Sequence, residues 1–355
     1  MKKEFLLLFV SLFLSVVFAI FSLEFYFRND FWSGNFFTHN GRNHNTKFDS
    51  KLGWSNIPKM SYVEDDISYT FNSSGFRSKE VDYSKKHVLI IGDSIALGYG
   101  VQDGETLSQY LSDSFKGYQV LNMGVVGYGI DQYYLNLKKH IDKLNPALIV
   151  IIICMANDKE GTASDVRHGK SKPLFVIDKA KLDVRLGKES QSDSDNLLLT
   201  NSNISENSCT NVFTKSWTLR QPFFQSFRNK ICKTKTLNEL DLDHIIFSLL
   251  HKIDRLAKEK KSKLLFALSP PEIFDVQKGG NMGKSDLRHI TYFQKVFKNI
   301  SLPYIDFYKT IKSQKTKNKD LYIDGLHFSS LGNELFANTI YAYIKNSRLI
   351  PMSTS

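Results

Sequence analysis

Ala147–Cys154 reads A-L-I-V-I-I-I-C, eight apolar residues in a row, five of them β-branched, with no polar position between them. A strand with one wet face alternates apolar and polar residues. A run that is apolar on both faces suits a central strand of a parallel sheet, with helices covering it on either side. Upstream, V-L-I-I (Val88–Ile91) and Tyr118–Leu121 are further short strand candidates. Between them Leu107, Tyr110, Leu111 and Phe115 recur at helical spacing. Ile130, Tyr133, Tyr134, Leu137, Ile141 and Leu144 do the same, and Pro146 is expected to end their helix. Downstream come a helix carrying Leu242 to Leu256, a strand at Lys263–Leu268, a helix near 285–299, a strand at Tyr304–Asp306 and a closing helix from Leu331 to Ile344. Strands alternating with helices predict an α/β fold, a three-layer, doubly wound parallel sheet.

The composition agrees. With 355 residues, 42% hydrophobic and 23% charged, the chain can bury one large core or two modest ones, and it is neither disordered, collagenous nor polytopic. The net charge of +11 favours anionic surfaces such as acidic glycans or phospholipid heads, or else reflects scattered solvated lysines. No nucleic-acid motif, glycine-rich phosphate loop or zinc spacing accompanies it, so no nucleic-acid partner, metal or cofactor is expected.

The uncharged run Phe5–Leu23 follows Lys2, Lys3 and Glu4. As a helix its 19 residues would extend about 28 Å, close to the thickness of a bilayer core. An uncleaved anchor is the first expectation for residues 1–27. A cleaved signal peptide is the alternative, with Val17-Phe18-Ala19 as a weak cleavage signal. The lysines ahead of the run predict a cytoplasmic N-terminus, with the remainder outside the cytoplasm, periplasmic or extracellular. Residues 28–86 read as a lead-in of short strands and turns, and 87–346 as the main domain. An insertion at about 159–240 breaks the rhythm, its stretch 185–210 polar and turn-rich, and 347–355 is a tail. Cys154 reads as a packed thiol. Cys209 and Cys232, both in the insertion, are either two separate thiols or a disulfide.

Four groups of residues carry chemistry. The first strand ends in I-G-D-S, placing Ser94 at the carboxyl edge where open α/β sheets bind ligands, although G-D-S is also a common turn. The second is followed by N-M-G-V-V-G-Y-G (Asn122–Gly129), whose glycines let a backbone N–H approach a reacting carbonyl oxygen or simply serve the turn. The central strand runs into M-A-N-D, where Asn157 is either an amide donor at the same edge or a helix cap. Near the C-terminus, D-G-L-H sets Asp324 three residues before His327, so that a carboxylate can orient an imidazole toward a serine.

In that order these motifs resemble the SGNH (GDSL-type) hydrolase family, over about residues 87–346. Leu52–Trp54 and Asn72–Arg77 extend the likeness weakly toward its membrane-anchored or exported bacterial members. The resemblance implies a flavodoxin-like fold and acyl transfer without a cofactor. Ser94 would be the nucleophile, His327 the general base and Asp324 the residue orienting it. Ser94, Gly127 and Asn157 would form the oxyanion hole. Met155 stands where the family usually has glycine, which predicts a differently shaped loop or a narrowed mouth. The implied activity is an exported serine esterase cleaving an acyl ester, O-acetyl groups on a glycan above all. An O-acyltransferase using the same site and a silent glycan-binding protein are the alternatives.

Overall fold

The structure, a computed structural model, describes residues 45–168, 170–177, 197–200, 236–272, 283–313 and 318–352, with positions 5, 8–15, 18–19 and 22 of the N-terminal run. Two antiparallel hairpins come first, β1 (Thr46–Asp49) with β2 (Gly53–Asn56) and β3 (Ser61–Glu64) with β4 (Ile67–Thr70). Then follow β5 (Lys86–Ile91), β6 (Tyr118–Asn122) and β7 (Pro146–Cys154). Two small antiparallel pairs, β8 (Val166–Arg167) with β9 (Lys170–Ser171) and β10 (Leu174–Ile177) with β11 (Leu197–Thr200), precede β12 (Lys263–Ser269) and β13 (Tyr304–Asp306). The helices are α1 (Ser94–Leu97), α2 (Leu107–Ser114), α3 (Ile130–His140), α4 (Asp158–Thr162), α5 (Glu239–Glu259), α6 (Gly283–Asn299), α7 (Phe307–Ser313), α8 (Asn318–Leu321) and α9 (Ser330–Ser347).

The main sheet has the order β13-β12-β7-β5-β6, and every neighbouring pair is parallel. The expected flavodoxin-like strand order is therefore present, with β7 in the middle. Its alternate residues feed two cores. Ile149, Ile151 and Ile153 meet Tyr133 and Leu137 of α3, Ile246 and Leu250 of α5 and Phe293 of α6. Leu148, Val150 and Ile152 meet Leu107 and Leu111 of α2 and Phe336 and Ile340 of α9. Register keeps like faces together: Ile151 lies beside Ile91 on one side and Phe266 on the other. Truncating such a residue to alanine costs about 2–5 kcal/mol.

Three expectations are corrected. The helix before β7 stops at His140, not at Pro146, because Asn145 is already bonded on both sides to His87 of β5 and the chain has turned into the sheet. Pro146 instead opens the strand. Residues 45–85 are not a mere connection to the domain, since Leu52, Trp54 and Phe76 belong to the core that α3 and α5 cover. Met155 does not narrow the mouth. It is fully buried in that core, and its N–H donates to the Ser269 carbonyl, carrying the β7–β12 pairing one residue further. Cys154 is a buried free thiol, as expected. Cys209 and Cys232 lie outside the described residues, as does the 185–210 stretch apart from the backbone of β11. Among the described residues no helix is long and apolar enough to cross a membrane.

Candidate active site

The sheet reverses its winding between β5 and β7, and the loops after both strands leave at the crevice where open α/β sheets hold ligands. Asp93 caps α1 by accepting from the Ile95 N–H, so Ser94 occupies the first helical position and its own N–H has no intrahelical acceptor. Gly98, in the left-handed conformation at φ 81°, ends this helix after one turn. Ser94 Oγ lies 2.8 Å from Nε2 of His327, and His327 Nδ1 lies 2.7 Å from Oδ2 of Asp324.

The second carboxylate oxygen of Asp324 accepts from the backbone N–H groups of Leu326, at 3.1 Å, and His327, at 2.8 Å. These local bonds fold D-G-L-H into a tight loop. Partial burial raises the Asp324 pKa, but the hydrogen bond and charge of His327 and the two N–H groups together outweigh it, so the carboxyl is held well below the usual range and stays ionised. His327 is buried, with the Tyr99 ring against it at a centroid distance of 4.8 Å.

The glycine loop is braced from residues far away in the chain. Trp54 Nε1 donates to the Val126 carbonyl at 2.9 Å, and Tyr128 returns a hydroxyl hydrogen bond to the Trp54 carbonyl. Asn56 donates to Gly124 O, Asn136 to Met123 O, and Gln132 to Leu52 O. Gly127 has φ 77°, where side chains are disfavoured, and a Cβ there would lie 2.7 Å from Cδ2 of His168. Asn157 stands at the N-cap position of α4, yet its side chain makes no capping bond, so the cap reading does not account for it. Its amide interacts with Asp93, and its Oδ1 is a buried acceptor without a partner.

Burial pushes the Asp93 and Asp158 carboxyls upward, that of Asp158 far upward, where repulsion from Asp93 adds to the shift. Asp158 accepts from the Tyr133 hydroxyl and the Cys154 N–H, tying the end of β7 to α3.

The structure thus gathers Ser94, His327 and Asp324 in one hydrogen-bonded chain, with the loops of Gly127 and Asn157 at the same sheet edge. Other contributors were not legible beforehand. Arg77, buried, bonds Asp103 Oδ1 and the carbonyls of Ser68, Leu97, Gly98 and Val101, fixing the turn behind Ser94. Trp54 and Asn56 fix the glycine loop. For Trp54 and Arg77 the only sequence signal was the weak upstream likeness around Leu52–Trp54 and Asn72–Arg77, and Asn56 had none. The insertion contributes as well. Arg167 Nη1 donates to the Asn157 carbonyl at 3.3 Å, and a buried ion pair joins Lys172 to Asp131 in the first turn of α3.

No protein-family model and no curated protein matches the sequence. Among solved structures, the chain is similar to the lipase/acylhydrolase from Enterococcus faecalis, at 18% identity over 76% of this chain and 100% of that one, TM-score 0.41. It is similar to a GDSL-like lipase from Bacteroides thetaiotaomicron, at 14% identity over 75% of this chain and 91% of that one, TM-score 0.40. An acetyl xylan esterase is a third, at 11% identity over 73% and 99%, TM-score 0.39.

Proposed function

We propose that this chain is a serine ester hydrolase of the SGNH (GDSL) type. The observation that carries the reading is the chain Ser94 Oγ, His327 Nε2, His327 Nδ1, Asp324 Oδ2, with its two links of 2.8 and 2.7 Å. As Ser94 attacks the ester carbonyl, His327 takes the hydroxyl proton, and ionised Asp324 holds the imidazolium through Nδ1–H. The oxyanion accepts from the N–H groups of Ser94 and Gly127 and from the Asn157 amide. One such donor is worth about 3–4 kcal/mol. His327 then gives its proton to the departing alcohol, leaving an acyl-Ser94 ester that water hydrolyses by the same route in reverse. Nothing in these steps calls on a metal or cofactor.

The substrate is an acyl ester, in our reading an O-acetyl group on an envelope or extracellular glycan, and the +11 charge favours an anionic one. The N-terminal run serves as a membrane anchor that keeps the catalytic domain outside the cytoplasm. Leu8–Ser15 is helical, and the side chains of Phe5, Leu8, Phe9, Leu12, Phe13 and Phe18 are exposed. The hydroxyls of Ser11 and Ser15 donate back to carbonyls of the same run, hiding them from lipid. The test is p-nitrophenyl acetate turnover by the full chain in detergent beside Ser94→Ala. Equal rates in the two would sink the esterase reading. Protection of the C-terminal domain from protease in spheroplasts would sink the topology.

A further inference from the structure

We propose that His168 sets the length of the acyl group accepted at this site, limiting it to acetyl or little more. The proposal rests on reading Ser94 as an ester nucleophile and adds to it the residue that selects the acyl chain. His168 sits at the tip between β8 and β9, in the left-handed conformation at φ 50°, and is exposed. Its imidazole lies directly over Gly127: a Cβ on that glycine would meet Cδ2 at 2.7 Å and Nε2 at 3.0 Å, with Cζ2 of Trp54 behind them at 3.6 Å. The ring and the buried indole therefore wall the face of the residue whose N–H receives the oxyanion.

The direction of that wall follows from the tetrahedral intermediate. Its carbon carries four groups: Ser94 Oγ, the oxyanion, the leaving oxygen and the acyl substituent. The leaving oxygen must face His327, which protonates it, so the acyl substituent points away from His327. The flanking residues show which side that is. Tyr322 and Phe328, beside His327, pack in the core under α2 and α9. Trp54 and Tyr128, beside Gly127, pack in the core under α3 and α5. His168 thus lies on the Gly127 side of the site, away from the base, and that is where the proposed acyl pocket lies.

The wall is rigid. Lys172, immediately after β9, is buried in its ion pair with Asp131 and also donates to Pro173 O at 3.1 Å. Lys170 Nζ donates to Thr46 Oγ1 at 2.7 Å. The backbone of Gly53 leaves no room for a Cβ against the Ser171 carbonyl, 2.7 Å from where it would stand.

The test is kcat/KM of the full chain in detergent on p-nitrophenyl acetate, butyrate and octanoate, for wild type, His168→Gly and His168→Asn. Both substitutions remove bulk and suit the left-handed backbone. Wild type is expected to lose at least about tenfold from acetate to butyrate. His168→Gly should raise the butyrate-to-acetate ratio by about tenfold. His168→Asn should fall between, and thermal melting checks that both variants fold. An unchanged ratio in a folded, active His168→Gly overturns the proposal and leaves the esterase reading standing. Absence of turnover in wild type, matched by Ser94→Ala, overturns both. Labelling of Ser94 by methyl and hexyl fluorophosphonates, followed by mass, reads the same selectivity without turnover. His168→Gly should speed the hexyl reagent alone, and equal acceleration of both reagents would count against the proposal.

Discussion

The two halves of the active site are built in opposite ways. The Asp324–His327 loop is organised largely by its own bonds: one carboxylate accepts two N–H groups from residues two and three positions on and holds the imidazole of the second, while the Gly325 carbonyl accepts from a distant residue, the Glu272 N–H. The Asn122–Gly129 loop is organised by others, through Trp54, Asn56 and Asn136, residues up to 74 positions away. A self-contained loop concentrates the consequence of mutation in the chemistry. A braced loop spreads it over chemistry and stability together.

The sharpest way to break this contrast is Ser94→Ala or His327→Ala. Each should lower kcat for p-nitrophenyl acetate by at least about 10⁴-fold, with the melting temperature little changed. Turnover within tenfold of wild type in either variant would remove the catalytic assignment. Asp324→Asn comes next. It keeps an oxygen for the loop N–H groups but loses the charge that holds the imidazolium, so kcat should fall about 10³–10⁴-fold in a protein that remains folded.

On the braced side, Gly127→Ala should cost both quantities, because it demands a left-handed φ and space already taken by His168. A loss of about 100-fold in kcat together with about 1–2 kcal/mol of stability is expected. Trp54→Phe isolates the Nε1–H bond to Val126 O. It should destabilise by about 1 kcal/mol in urea melts and reduce kcat by about tenfold, whereas a pure stability effect with unchanged kcat would mean the brace does not position the loop.

The smallest effect is in pH. The Asp324 pKa is lowered in the folded state, so its contribution is present above the unfolded carboxylate pKa of about 4 and is lost as pH falls through the folded value. The stability difference between wild type and Asp324→Asn should therefore be constant near neutrality and begin to close below about pH 4. With 39% of the side chain exposed, it should stay under about 1 kcal/mol.

Local pattern alone determined a good deal. The runs at Val88–Ile91, Tyr118–Leu121 and Ala147–Cys154 appear as β5, β6 and β7 with ends shifted by two residues at most, and for β5 and β7 the reason is that a strand buried on both faces has little room for polar side chains. The D-G-L-H geometry was legible for a similar reason, since its bonds close within four residues. Three things were settled only by tertiary structure: that Trp54 and Arg77 serve the site, that Met155 points into the core, and that the start of the insertion stands over Gly127. An aromatic or an arginine in a polar stretch carries no local sign of its partner, and a loop's direction is set by whatever packs against it. Periodicity records only how much of a residue is covered. Which distant backbone it covers is decided when α3, β2 and the β8–β9 tip meet, and that meeting is encoded in contacts too far apart in the chain for a local pattern to reveal.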